Sequence, residues 1–254
     1  MNDNNWYQSR CVIEIPAGIS QSGFTLVEVL VSLALGLFLI GGAIQLFVQS
    51  KQTYRLQDSL SRIQENGRLA MESMVTDIRM AGYVPPSAVL PGIAISGNGT
   101  SNQNNDVTVK WVDESGYQSR VYAVGTGTSA QECAKARTSL RLNRNSGGLQ
   151  ELVEGVEAIR ILYGSCTAVD ANGDGVNDRM IVISPFYQPA TNITDWNSVC
   201  SVRVHLLMVS LADNVVKQPQ TIYFPADTNN IWSVNDRCLR QAFTFTIQIR
   251  NKVP

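Results

Sequence analysis

Hydrophobic and polar positions change rhythm twice along this 254-residue chain. From Leu26 to about Val48 the residues are mostly apolar, with Glu28 as the single charge. About 20 such residues cross the hydrocarbon core of a bilayer. From Gln45 to Met80 no proline occurs, and Leu56, Leu60, Ile63, Leu69, Met71, Met74, Val75 and Ile78 recur at roughly helical spacing. Together these stretches predict one helix from Phe24 to about Ala81, about 85–90 Å long at 1.5 Å per residue. Gly82 and then Pro85-Pro86 end it. Its length exceeds what a bilayer needs, so the second half is expected to pack on something outside the membrane.

From Tyr83 onward the period falls to two. Segments 106–112, 117–124, 139–143, 157–163, 180–184, 199–211 and 243–250 are rich in Val, Ile, Tyr and Phe and are parted by Gly, Asn, Asp or Ser. They predict antiparallel strands. Ser96–Asp106 (SGNGTSNQNND) is polar and reads as a solvated loop. The expected class is α+β: a leader over 1–23, a transmembrane half-helix over 24–48, an amphipathic half over 49–82 and an antiparallel β domain over 83–254. Gly36, Gly41 and Gly42 lie in the membrane half, where glycine costs roughly 1 kcal/mol relative to alanine. Close helix packing and a segment able to unwind both account for them.

Glu28 is the costly residue, at roughly 2.5–3.5 kcal/mol on insertion scales, and such a carboxylate is functional by default. A small residue, Gly23, stands just before the apolar run. Cleavage after Gly23 would free an α-amine on Phe24, four residues or about one helical turn from Glu28. Between neighbouring chains that pair would set the axial register of packed helices, because an unpaired charge there is heavily penalised. A secretory signal fits poorly, since its small-residue cleavage site follows the apolar core. An ordinary signal anchor is the plainer alternative.

Gly23-Phe24-Thr25-Leu26-Val27-Glu28 resembles the prepilin signal of type IV pilins and type II secretion pseudopilins. The resemblance implies that a prepilin peptidase cuts after Gly23 and methylates the amine of Phe24. The leader departs from the pattern, with Gln21-Ser22 where the family usually carries Lys or Arg. Gln64–Ala70 (QENGRLA) and Asp77–Tyr83 (DIRMAGY) resemble the helix end of the PilW family of minor pilins. Leu152–Glu157 (LVEGVE) is similar to a central segment of that family, and Gln241–Asn251 (QAFTFTIQIRN) to its last strand. A type IV pilin-like fold is thereby implied. So are partners: other minor pilins, the major pilin and a PilY-type tip adhesin, with a single-pass inner-membrane location before entry into the pilus. The J-type pseudopilin is the nearest competitor, and a membrane-tethered sensor or binding domain is a third reading.

Discounting the leader with Arg10, Asp3 and Glu14 leaves basic and acidic residues equal in number. There is no basic surplus for nucleic acid. It also removes Cys11, leaving Cys133, Cys166, Cys200 and Cys238, which in an oxidising compartment predict two disulfides among three connectivities. Cys133–Cys166 and Cys200–Cys238 is the expected pairing. The spacings lack the close pairs of a zinc site.

Asp170, Asn172, Asp174, the carbonyl of Val176 and Asp178 occupy positions 1, 3, 5, 7 and 9 of a loop with Gly175 at position 6. Hard oxygen ligands in that order suit calcium. Ile181 stands at the twelfth position, so a complete EF-hand is excluded; the loop is similar to shorter calcium loops of β-propellers and pilus-tip proteins. A hairpin turn explains the same residues, since Asn-Gly and Asp-Gly are strong turn signals. No cofactor is required by the rest of the chain. His205 is the only histidine, and neither a hydrolase triad nor a nucleotide fingerprint accompanies it. A non-enzymatic chain is expected.

Overall fold

The computed structural model describes residues 23–90, 92–99, 105–126, 133, 138–170, 172–176, 179–183, 186–225 and 230–252. Residues 1–22 of the leader, with Arg10 and Cys11, lie outside them. The chain divides into two compact units after Ser50.

Helix α1 (Leu26–Met80) begins in the first unit. There its apolar side chains are open: Phe38 and Phe47, like Phe24 just before the helix, are each more than 70% exposed, and the leucines and valines between them are exposed as well. Fully burying one such side chain is worth about 1.5–3 kcal/mol. A run of them in water is untenable, so lipid or other protein must cover this segment.

The second unit has its own core. From Lys51 onward α1 buries Ser59, Ile63, Gly67, Ala70, Met74 and Ile78, spaced by three or four residues along one stripe. This stripe is smaller and narrower than the sequence predicts. Met71 and Val75 reach the core only partly, while Leu56, Leu60 and Leu69 stay 37–47% exposed.

Two sheets take up the stripe. Strands β1 (Ile95–Asn98), β2 (Asp106–Asp113), β3 (Gly116–Thr126), β4 (Thr138–Arg144) and β5 (Leu149–Glu154) form an antiparallel meander in chain order. Gly155 then turns the chain into β6 (Val156–Val169). Strands β7 (Arg179–Val182), β8 (Val199–Val209), β9 (Thr221–Tyr223), β10 (Ile231–Ser233) and β11 (Arg240–Gln248) follow. The second sheet runs β11-β8-β6-β7, so β8 is flanked on both sides. Val202, Val204, Leu206 and Met208 of β8 share one core with α1. On the other face of the sheet Leu207 packs with Ala158 and Phe224, covered by Ile222 and Trp232 of the β9–β10 hairpin. Burial on both faces explains why β8 reads as an almost continuous apolar run.

Two expectations are corrected. Ser96–Asn98 is strand, not loop: Ser96 pairs with Thr108 and Gly97 with Val107. A Cβ at Gly97 would collide with the Tyr163 hydroxyl, so this glycine serves close approach rather than freedom. Residues 100–104 of the same tract lie outside the described residues. The disulfides are Cys133–Cys238 and Cys166–Cys200, with Cα separations of 5.6 and 5.7 Å, and not the expected Cys133–Cys166 and Cys200–Cys238. The antiparallel register of β6 with β8 decides this, setting Gly164 against Ser201 and so Cys166 beside Cys200. Cys238 lies just before β11, where Ser210 and Leu239 exchange hydrogen bonds, and it packs with Cys133 and Val209.

Cross-linking residues 105 apart removes more unfolded-chain entropy than cross-linking residues 34 apart. The difference is about 1 kcal/mol in a total of about 4–5. Peptide mapping is expected to recover both linkages. The double variant Cys133→Ser/Cys238→Ser is expected to lose more stability than Cys166→Ser/Cys200→Ser in urea unfolding of residues 51–254. Recovery of a Cys133–Cys166 peptide would refute the assignment.

Candidate functional site

The expected processing residues Gly23 and Phe24 precede the helix, because α1 starts only at Leu26. Phe24 and Glu28 are therefore not one helical turn apart, as the sequence spacing suggested. Thr25 is the reason. Its carbonyl accepts from the N–H groups of Glu28 and Val29 at 3.1 and 3.2 Å, and its hydroxyl from Glu28 N–H at 3.3 Å. Thr25 thus caps the helix and Glu28 holds the third helical position, the T-x-x-E spacing of a capping box. A carboxylate in the first turn also complements the helix dipole. The T-x-x-E signal is legible in the sequence itself.

The segments that carried the resemblance meet one another in the second unit. Gly67 lies under the Phe243 ring of β11: a Cβ there would stand 2.8 Å from Phe243 Cζ. Asn66 donates to the carbonyl of Glu154 at 3.4 Å. Asp77 accepts from the Tyr122 hydroxyl at 2.6 Å and stands 3.9 Å from Arg120 Nε. Burial holds the Asp77 carboxyl above its ordinary range, against the pull of Tyr122, Arg120 and Arg144. At the end of α1, Gly82 takes φ +75° and donates to Lys110, while Asn251 donates to the carbonyls of Met80 and Ala81. The last helical carbonyls are thereby satisfied by the other end of the chain.

A buried fork joins two further segments. The Arg240 side chain, 1% exposed, donates to both Glu157 oxygens at 2.6 and 3.0 Å and to both Asp236 oxygens at 2.6 and 2.7 Å. Burial opposes the guanidinium charge, but Asp236 and Glu157 more than restore it. Arg240 in turn holds the Asp236 carboxyl below its ordinary range. Beside Glu157, Gly155 takes φ +75°, and a Cβ there would lie 2.8 Å from the carbonyl of Val209. Only glycine fits that turn.

The acidic loop closes on itself. Asp170 accepts from the N–H groups of Asn172, Gly173 and Gly175 at 3.2, 2.6 and 2.7 Å, and these bonds, Gly175 first, hold its carboxyl low. Asn172 accepts from Asp174 N–H and donates to the Asp174 carboxylate, which also accepts from Val176 N–H. Asp170, Asn172 and Asp174 are thus brought together, while Asp178 lies outside the described residues. Cys133, Cys238 and Asp213 also cluster, but the two sulfurs are joined to each other and offer no thiolate to a metal. His205 is fully buried on β8, with Nδ1 2.9 Å from Thr244 Oγ1 of the neighbouring β11.

Comparison with known proteins places these contacts. A family profile described as type IV pilus-assembly protein W matches residues 121–251, just over half of the chain. The chain belongs to the PilW family. A second profile, the prokaryotic N-terminal methylation motif, matches residues 19–44 and implies processing by a prepilin peptidase. Among solved structures, a type IV-like pilin from Thermus thermophilus aligns at 17% identity and a TM-score of 0.46, over 76% of this chain and 99% of its own. The comparison with curated proteins returns no match. The PilW match spans Gly155, Glu157, Arg240, Phe243 and Asn251. Several of these residues pack against the helix motifs.

Breaking the fork strands buried charge, so Arg240→Ala is expected to cost about 3–5 kcal/mol in the stability of residues 51–254. Asp236 has a depressed native pKa. Its contribution is therefore complete above its unfolded value, about 3.9, and is lost as pH falls through the native one. Asp236→Asn is expected to flatten that acid limb in unfolding curves taken from pH 6 to pH 2.

Proposed function

We propose that this PilW-family chain is a minor pilin that helps to prime assembly of a type IV pilus from the inner membrane, its globular domain on the periplasmic side. Its proposed partners are other minor pilins and the major pilin, with a place at the filament tip beside a PilY-type adhesin. The observation that carries the reading is the uncovered apolar half of α1 behind a prepilin-type motif. Lipid covers those side chains before assembly and neighbouring helices cover them afterwards, so they never meet water. Glu28 is the proposed register charge, paired with the amine of Phe24 on an adjacent subunit after cleavage at Gly23. The PilW match favours the pilus over a J-type secretion pseudopilin.

Glu28→Ala is expected to abolish co-purification with sheared pili while leaving cleavage after Gly23 intact, as read from the N-terminal mass. An uncleaved Gly23→Ala protein that still assembles would sink the reading.

The loop from Asp170 to Asp178 is the proposed calcium site. Its support is that the turn already gathers Asp170, Asn172 and Asp174, three of the five expected donors. Millimolar calcium is expected to raise the melting temperature of residues 51–254, and Asp174→Ala to remove the rise. An unchanged melting temperature would leave the loop a plain turn.

A further inference from the structure

The second sheet ends on an open edge. Strand β11 lies outside β8 and pairs with no strand beyond it. Ser210 N–H donates to the carbonyl of Leu239 at 2.7 Å, Ile249 N–H donates to that of Cys200 at 2.8 Å, and the register between them is unbroken. By antiparallel alternation Gln241, Phe243, Phe245 and Ile247 bond to β8, and the residues between them point their N–H and C=O groups away from it. Arg240 shows that direction, since its N–H reaches Gln220 Oε1 at 2.7 Å. Ala242, Thr244, Thr246 and Gln248 follow with no backbone partner among the described residues, and the last three are exposed. With nine residues β11 is the longest edge strand of the two sheets; β1 and β7 have four each and β5 six. Folds blunt such edges with lysine, proline, a bulge or a covering element. β11 contains no lysine, proline or bulge, and its one charge, Arg240, is drawn into the fork with Glu157 and Asp236. Helix α1 meets β11 through the ring of Phe243, on a face of the sheet.

We propose that the open edge of β11 receives an extended segment of a different subunit, which joins the sheet as a further strand. Four residues each offer one donor and one acceptor, two positions apart along one line, and an extended backbone answers that pattern. Side chains directly opposite on neighbouring strands share a face. The segment therefore alternates, with apolar residues against Phe243 and Phe245 and threonine or valine against Thr244 and Thr246. A second copy of this chain is a poorer occupant. Phe243 stands at Gly67 and Asn251 at Met80 and Ala81, so β11 runs beside the second half of α1 in the same direction. A closed pair of β11 edges is antiparallel and sets those two half-helices head to tail. Subunits drawn from one membrane into one filament run them together. The inference rests on the reading of the chain as a subunit that assembles with others, and names one contact it would make.

The test follows amide hydrogen exchange residue by residue in the full chain in detergent, alone and titrated with the alternating peptide KTVTVTVTK. In the free chain Phe243, Phe245 and Ile247 are expected to exchange slowly and Ala242, Thr244, Thr246 and Gln248 quickly. The peptide is expected to slow those four saturably. Thr246→Pro deletes one outward N–H and spares the bonds to β8, a placement that edge strands tolerate, and is expected to weaken peptide binding about tenfold. Thr246→Ala loses the hydroxyl but keeps the N–H, and is expected to bind within about twofold of the parent. If the proline variant does not fold, exchange in the parent decides alone. Protection of the four amides in the free monomer would mean that the chain covers its own edge, and protection in a dimer without peptide would mean a second copy. Either result, no protection at millimolar peptide, or equal binding by Thr246→Pro would overturn the proposal. In cells Thr246→Pro is expected to be cleaved after Gly23 yet to co-purify with sheared pili several-fold less than Thr246→Ala. Cleavage with undiminished co-purification would overturn this contact alone and leave the pilin reading standing.

Discussion

The second unit depends on the seat of α1 against its sheets, and that seat is made of small residues. Ser59, Gly67 and Ala70 alternate with Ile63, Met74 and Ile78 along the buried stripe. Gly67 lets the Phe243 ring approach the helix backbone, so β11, the last strand of the chain, is drawn onto the first element of the domain. A larger residue would hold the two apart and open voids along the shared core, where each lost methylene is felt. Glycine inside a helix costs roughly 1 kcal/mol, and here packing against an aromatic ring offsets it.

Polar ties then fix what packing alone leaves sliding. Asn66 reads the backbone of β5, Asp77 holds β3 through Tyr122, and Asn251 closes the helix end. The Arg240 fork anchors the start of β11 to Glu157 of β6. A buried polar group left without its partner costs more than a hydrogen bond returns. QENGRLA, DIRMAGY, LVEGVE and QAFTFTIQIRN contain several of these groups. They are the residues whose neighbours lie elsewhere in the chain.

Periodicity made the large elements legible. The helix limits fell within two residues of Leu26 and one of Met80, and the seven expected strands are all present in the observed sheets. The short or polar ones, β1, β5, β9 and β10, were missed, because their alternation is weak and their existence depends on a partner strand. Gly97 looked like loop glycine, since Tyr163 is 66 residues away in sequence and only the fold brings its hydroxyl near. The cysteine pairing failed for the same reason: sequence distance is a poor guide once β6 and β8 set the register. Leu56, Leu60 and Leu69 were expected in the core by hydrophobicity, whereas the sheets accept a narrower stripe. The Thr25 cap was readable from T-x-x-E and needed no fold at all.

That cap changes how Glu28 should be weighed. On insertion scales the carboxylate is a cost of several kcal/mol, but those scales refer to a charge at the centre of a helix. Glu28 sits in the first turn, where unpaired N–H groups and the helix dipole leave a partial positive charge of about half a unit. Thr25 takes up the Glu28 N–H, and the carboxylate answers the remainder of that charge. On the proposed reading, cleavage adds a full positive charge at Phe24, just outside the capped turn. One carboxylate per subunit then faces both an amine and a helix end. Processing would therefore do more than remove a leader: it would set a cation beside a helix start already capped by Thr25, and a neighbour's Glu28 is a carboxylate that such a cation could meet.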